Sequence, residues 1–115
     1  MERIQTTAVF PAIAGTDLAE LKQVVGELVE RARQEPGTLQ YDWFFNADET
    51  QCFVRETFAD SSAALAHMAN ASDLLPRLLA LGGGVKLELF GNASDELRAA
   101  LAPFESPIYA YALGK

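Results

Sequence analysis

His67, Glu56 and Cys52 are the side chains whose type and placement could do chemistry in this 115-residue chain. Glu56 stands in the run Cys52-Phe53-Val54-Arg55-Glu56-Thr57-Phe58. With a side-chain period of two, it shares a strand face with Cys52, Val54 and Phe58. A carboxylate on an apolar face needs a partner or a raised pKa, so Glu56 is either a structural hydrogen-bond acceptor or part of a site. His67 lies at the border of the helical stripe Ala64, Leu65, Met68 and Ala71. An imidazole there is either a partly buried hydrogen-bonding group or one that meets a ligand. Cys52, among Phe and Val, reads as a buried structural thiol and not a nucleophile. Arg55 projects to the other strand face, where it can pair with Asp42 across a hairpin. Asn70 can simply end a helical segment.

The rest of the composition narrows the chemistry. One cysteine excludes an internal disulfide, and one histidine excludes the usual multi-His/Cys zinc patterns. There is no GxGxxG, phosphate-loop or GxSxG motif. Gly82-Gly83-Gly84 follows a helical pattern instead of preceding one, so it does not read as a phosphate cradle. The expectation is therefore no metal and no cofactor. A net charge of −7 and a pI near 4.5 argue against nucleic acid and against anionic membranes. No apolar run approaches the roughly 20 residues that span a bilayer. The start MERIQTTAVF lacks the features of a signal peptide, so a cytoplasmic location is expected.

The elements that must position these groups centre on residues 36–60, a hairpin. Pro36-Gly37 stops a helix, and two alternating runs follow. Leu39, Tyr41, Trp43 and Phe45 face one side of the first strand, with Gln40, Asp42 and Phe44 on the other. Both faces carry aromatics, which a sheet wet on one side does not show. A loop of three to five residues is expected between the strands, which lack Asn-Gly or Asp-Gly. Residues 3–10 alternate as a strand ended by Pro11. Asp17 and Glu20 form a capping-box-like start to a helix with Leu18, Leu21, Val25, Leu28 and Ala32 along its apolar stripe. A second helix begins at Asp60 or Ser61 and breaks near residues 70–72. It resumes through DLLPRLLAL, with Pro76 in its first turn. Val85, Leu87 and Leu89 mark a strand, Ser94 caps a short helix, and the aromatic tail IYAYALG should dock on a sheet edge.

This order, β-α-β-β-α-β with an added helix and strand, predicts a single α+β domain over residues 1–115. Its architecture is the ferredoxin-like split βαβ, an antiparallel sheet with its helices on one face. The uncovered aromatic face predicts a homodimer packed sheet to sheet.

EPGTLQYDWFF, a short loop and CFVRETFADSSAALAHMAN together resemble the antibiotic biosynthesis monooxygenase family of dimeric α+β barrels. Pro36, Gly37, Tyr41, Glu56 and His67 match its pattern as they stand. Phe58 replaces a Trp, Arg55 a Tyr and Cys52 a leading Phe. The likeness spans roughly residues 1–90 and is greatest to quinol-monooxygenase-like members. It implies a cofactor-independent oxygenase in which a quinol, phenol or polycyclic aromatic is deprotonated and the anion itself reduces dioxygen. On that basis Tyr41, Trp43, Phe44, Phe53 and Phe58 line an apolar pocket, His67 or Glu56 takes the proton, Arg55 stabilises the anion if it points inward, and Asn70 contacts substrate. Two alternatives remain at this stage. One is a non-catalytic dimeric barrel that binds a small apolar ligand. The other is haem degradation, which relatives perform with an Asn, a Trp and a later His than His67.

Overall fold

The structure, a computed structural model, describes residues 2–115. Strand β1 (Ile4–Phe10) alternates as expected, and Ile4, Thr6, Ala8 and Phe10 are buried. Helix α1 (Leu18–Arg33) buries Leu21, Val25, Leu28 and Ala32, the stripe set by helical spacing. Its start differs from the expected capping box. The chain enters through a 3-10 turn at Gly15–Asp17, so Asp17 is already helical and its side chain makes no cap. A capping side chain needs extended backbone at that position.

Strands β2 (Thr38–Phe45) and β3 (Cys52–Phe58) form the hairpin. Asn46 N–H donates to Gln51 O at 3.2 Å, which leaves Ala47–Thr50 as the loop, within the expected length. A bulge between Thr38 and Gln40 shifts the register, so Leu39 is turned out and does not join Tyr41 and Trp43. Helix α2 (Ser61–Ala71) is capped by Asp60, whose carboxylate accepts from Ala63 N–H at 2.8 Å. Helix α3 (Leu75–Gly82) takes Pro76 in its first turn and ends at Gly83, where φ is 73°. Strand β4 (Lys86–Phe90) and helix α4 (Asp95–Leu101), capped by Ser94, follow.

The sheet order is β2-β3-β1-β4-β5, with β1 antiparallel to both neighbours. The aromatic tail docks on its own chain: β5 (Ile108–Tyr109) pairs parallel to β4. Two core clusters join the helices to one sheet face. One is built on Phe10, Leu21, Leu28 and Leu81, the other on Ile4, Phe58, Leu89 and Leu97. This is the α+β ferredoxin-like arrangement. The opposite face stays open, with Phe44, Phe53 and Phe90 exposed by 50%, 37% and 40%. Among the described residues no helix is long and apolar enough to cross a membrane.

Candidate functional site

The register of three elements assembles the site. Glu56 pairs with Tyr41 on one side and Thr6 on the other, so all three project from the helix-covered face of the sheet. Helix α2 lies over that face and lowers His67 onto it, 7% exposed. The turn from α1 into β2 brings Glu35 to the far side of the imidazole. His67 Nδ1 lies 2.7 Å from Glu35 Oε1, and Nε2 lies 3.5 Å from Glu56 Oε1. The outer contacts hold both carboxylates in place. Thr6 Oγ1 donates to Glu56 Oε2, while Thr38 Oγ1 and Asn70 Nδ2 each donate to Glu35 at 2.7 Å.

Burial opposes a charged imidazolium here, but hydrogen bonding and charge from Glu56 and then Glu35 outweigh it, and the His67 pKa is raised. Burial likewise opposes the Glu35 carboxylate. The donors Asn70, Thr38 and His67 overcome it and hold its pKa below the usual range. Tyr41 is pushed strongly upward by burial and by the Glu56 charge, so it remains a neutral phenol. Burial pushes the Cys52 thiol up to about 12, as befits an inert core group.

Beside this array is a cavity of about 470 Å³, large enough for a small polycyclic aromatic. Thr6, Tyr41, Glu56 and His67 form its polar part, and Trp43, Phe58, Met68 and leucines of α3 and α4 supply apolar wall. The Tyr41 ring meets His67 edge-on at 4.9 Å between centroids, and Phe58 lies 5.3 Å from the same imidazole. Trp43 stacks on Phe10 at 5.6 Å.

The structure thus gathers His67, Glu56, Tyr41, Trp43 and Phe58 around one cavity. Phe44, Phe53 and Arg55 are not among them; they line a separate concavity on the open face of the sheet. Phe44 pairs with Phe53 and Arg55 with Asp42 on the open face, because each is one residue out of phase with its cavity-lining neighbours. Arg55 therefore cannot stabilise an anion in this cavity, and among the described residues no Arg or Lys lines it. Although Asp42 and Arg55 are cross-strand neighbours, their side chains form no ion pair among the described residues; Asp42 accepts from Gln40 at 3.0 Å. Asn70 is exposed and does not line the cavity, but it supports Glu35 from outside. Sequence reasoning missed Glu35 and Thr6. Glu35 is marked only by its place before Pro36-Gly37, and Thr6 by a hydroxyl on an otherwise apolar strand face.

Comparison with known proteins finds the same fold elsewhere. The chain is similar to the crystal structure of MupZ from Pseudomonas fluorescens, at 24% identity and a TM-score of 0.86, covering 100% of this chain and 94% of that one. A structure described as an antibiotic biosynthesis monooxygenase is 26% identical with a TM-score of 0.67, covering 75% and 94%. SnoaB, described as a cofactor-independent oxygenase from Streptomyces nogalater, shares the fold at 15% identity and a TM-score of 0.67, covering 82% and 96%. No curated protein sequence matches the chain. Residues 8–72, which carry Glu35, Tyr41, Trp43, Glu56 and His67, match the family model described as antibiotic biosynthesis monooxygenase, and the chain belongs to that family.

Proposed function

We propose that the protein is a homodimeric, cofactor-independent monooxygenase that oxidises a small quinol, phenol or polycyclic aromatic with dioxygen. The observation that carries this reading is the Glu35–His67–Glu56 array opening on an apolar cavity. Such a substrate offers one weakly acidic proton and a flat apolar body, and the site offers a proton acceptor in an apolar wall. The Glu56–His67 pair takes the proton. Their 3.5 Å separation is long for a hydrogen bond and leaves Nε2 and Glu56 able to tighten onto a ligand. Glu35 holds the ring through Nδ1.

Removing the proton creates an electron-rich anion, which gives one electron to dioxygen. The substrate radical and superoxide then combine to form a C–O bond, and the resulting peroxide takes up a proton. For a CH2 carbon, loss of the second hydrogen with O–O cleavage gives a carbonyl and water, so one dioxygen supplies one oxygen to each product. The apolar cavity favours these steps by keeping bulk water from the anion. The description of SnoaB as a cofactor-independent oxygenase supports the same reading. Haem degradation fits less well, since the chain's one histidine, His67, stands on α2 and no later histidine follows it.

Oxygen uptake with a panel of hydroquinones and anthrones tests the proposal. Turnover of at least one is expected, with His67→Ala and Glu56→Gln each lowering it by roughly 10²- to 10⁴-fold. Thermal stabilisation by the same compounds with no oxygen uptake would leave a binding protein and overturn the proposal.

A further inference from the structure

One polar atom of the cavity wall has no structural explanation. Trp43 Nε1 is buried and has no hydrogen-bond partner among the described residues. Packing explains the ring, which stacks on Phe10 and meets Tyr41 edge-on at 5.8 Å, but a phenyl group would stack equally well. An unpaired buried N–H carries a desolvation cost, so a native donor of this kind calls for an acceptor. The neighbouring Tyr41 hydroxyl forms no hydrogen bond among the described residues either. The indole lies near enough to ease the phenol's ionisation slightly, yet without the geometry that would satisfy either group.

Tyr41 and Trp43 are two apart on β2, so both project from the same face, and both line the cavity. Glu56 is the cross-strand partner of Tyr41, and Val54 that of Trp43. Proton acceptor and unpaired donors therefore sit side by side along one wall. No Arg or Lys among the described residues lines the cavity, so beside the His67 ring these donors are the groups placed to meet negative charge once the acceptor has taken a proton.

We propose that the Tyr41 O–H and the Trp43 indole N–H form a two-donor subsite for an acceptor oxygen of an aromatic ligand, either a carbonyl or the oxygen that gains charge on deprotonation. This rests on the proposed function for its chemistry but not for its test. Preorganised donors beside a developing oxyanion do their work in an apolar site because no reorganisation is needed. The subsite selects flat ligands with a ring-conjugated oxygen over hydrocarbons of the same shape.

A matched pair of inert probes, 9-fluorenone and fluorene, tests the subsite by equilibrium dialysis without turnover. Fluorenone is expected to bind tighter than fluorene. Tyr41→Phe deletes one donor and keeps its ring, so it should weaken fluorenone roughly three- to tenfold and leave fluorene unchanged; Trp43→Phe deletes the other donor and exchanges indole for phenyl, so it should weaken fluorenone more than fluorene. Trp43 is the only tryptophan, so a single indole N–H resonance should move downfield with fluorenone and not with fluorene. Equal binding of the two probes, equal losses for both in the variants, or no binding of either would overturn the subsite. Oxygen uptake is measured separately, so failure here leaves the oxygenase reading standing, and the reverse also holds.

Discussion

Because His67 is the only histidine, its ring protons titrate alone in a proton spectrum. Two opposed effects decide the result. Burial favours the neutral ring, and carboxylates at both nitrogens favour the charged one and win. The titration should therefore lie above the ordinary imidazole value of 6.5, and Glu35→Gln should move it down by removing the charge at Nδ1. Stability follows from the same linkage. A raised histidine pKa stabilises the fold fully below 6.5, and that contribution is lost as pH rises through the folded value. The depressed Glu35 pKa stabilises above 4.5 and fades as pH falls through its folded value. The loss of unfolding free energy in Glu35→Gln should thus be greatest between pH 4.5 and 6.5, at about 1–3 kcal/mol, and shrink on either side. A deficit that stays flat with pH would remove the ion pair from the account. Little of this was legible in the sequence. His67 and Glu56 stood out because they break apolar patterns, whereas Glu35 sits among ordinary polar residues at a helix end.

Turns between elements, more than the elements themselves, set the spacing of the site. Gly37 lies where α1 hands the chain to β2, and its carbonyl accepts from Ala59 N–H at 2.9 Å. A Cβ built there would stand 2.5 Å from that of Ala63 on α2, closer than carbon atoms approach. Glycine is needed for the contact and not for its backbone angles. Gly37→Ala should push the turn off α2, lower stability by about 1–3 kcal/mol, and draw Glu35 away from His67. The histidine titration should then fall towards 6.5 although neither titrating partner was changed. Gly26 supplies the contrast. It is exposed in mid-helix with nothing within 4 Å of its Cβ direction, so Gly26→Ala should stabilise by about 0.5–1 kcal/mol and leave the titration alone. Urea unfolding of both variants separates the cases. Periodicity made the helices and strands readable, since burial obeys it. The bulge at Thr38 and the 3-10 entry to α1 depend on backbone geometry that no residue pattern announces.

At the scale of the molecule, the aromatics that do not line the cavity define a second surface. Phe44 and Phe53 pair directly across the hairpin on the open face, with Val9 beside Phe53 on β1. All this apolar area faces water in the single chain, against the usual composition of an exposed sheet. The alternation in the sequence predicts cover on both sides, but it could not say which aromatics belonged to which. Register decides that, and a one-residue difference in phase sends Trp43 to the cavity and Phe44 to the surface. We propose a second copy as the cover, because a two-fold axis sets one twisted sheet against another like it. The chain should sediment at twice its own mass at micromolar concentration. Replacing Phe44 and Phe53 together by Asp would place four like charges in the paired surface and should yield the monomer. The helix-covered face carries neither residue, so the His67 titration of that monomer should match wild type. A wild-type chain that sediments as a monomer would refute the paired sheets, and a variant that loses the titration as well would show that the two faces are not independent.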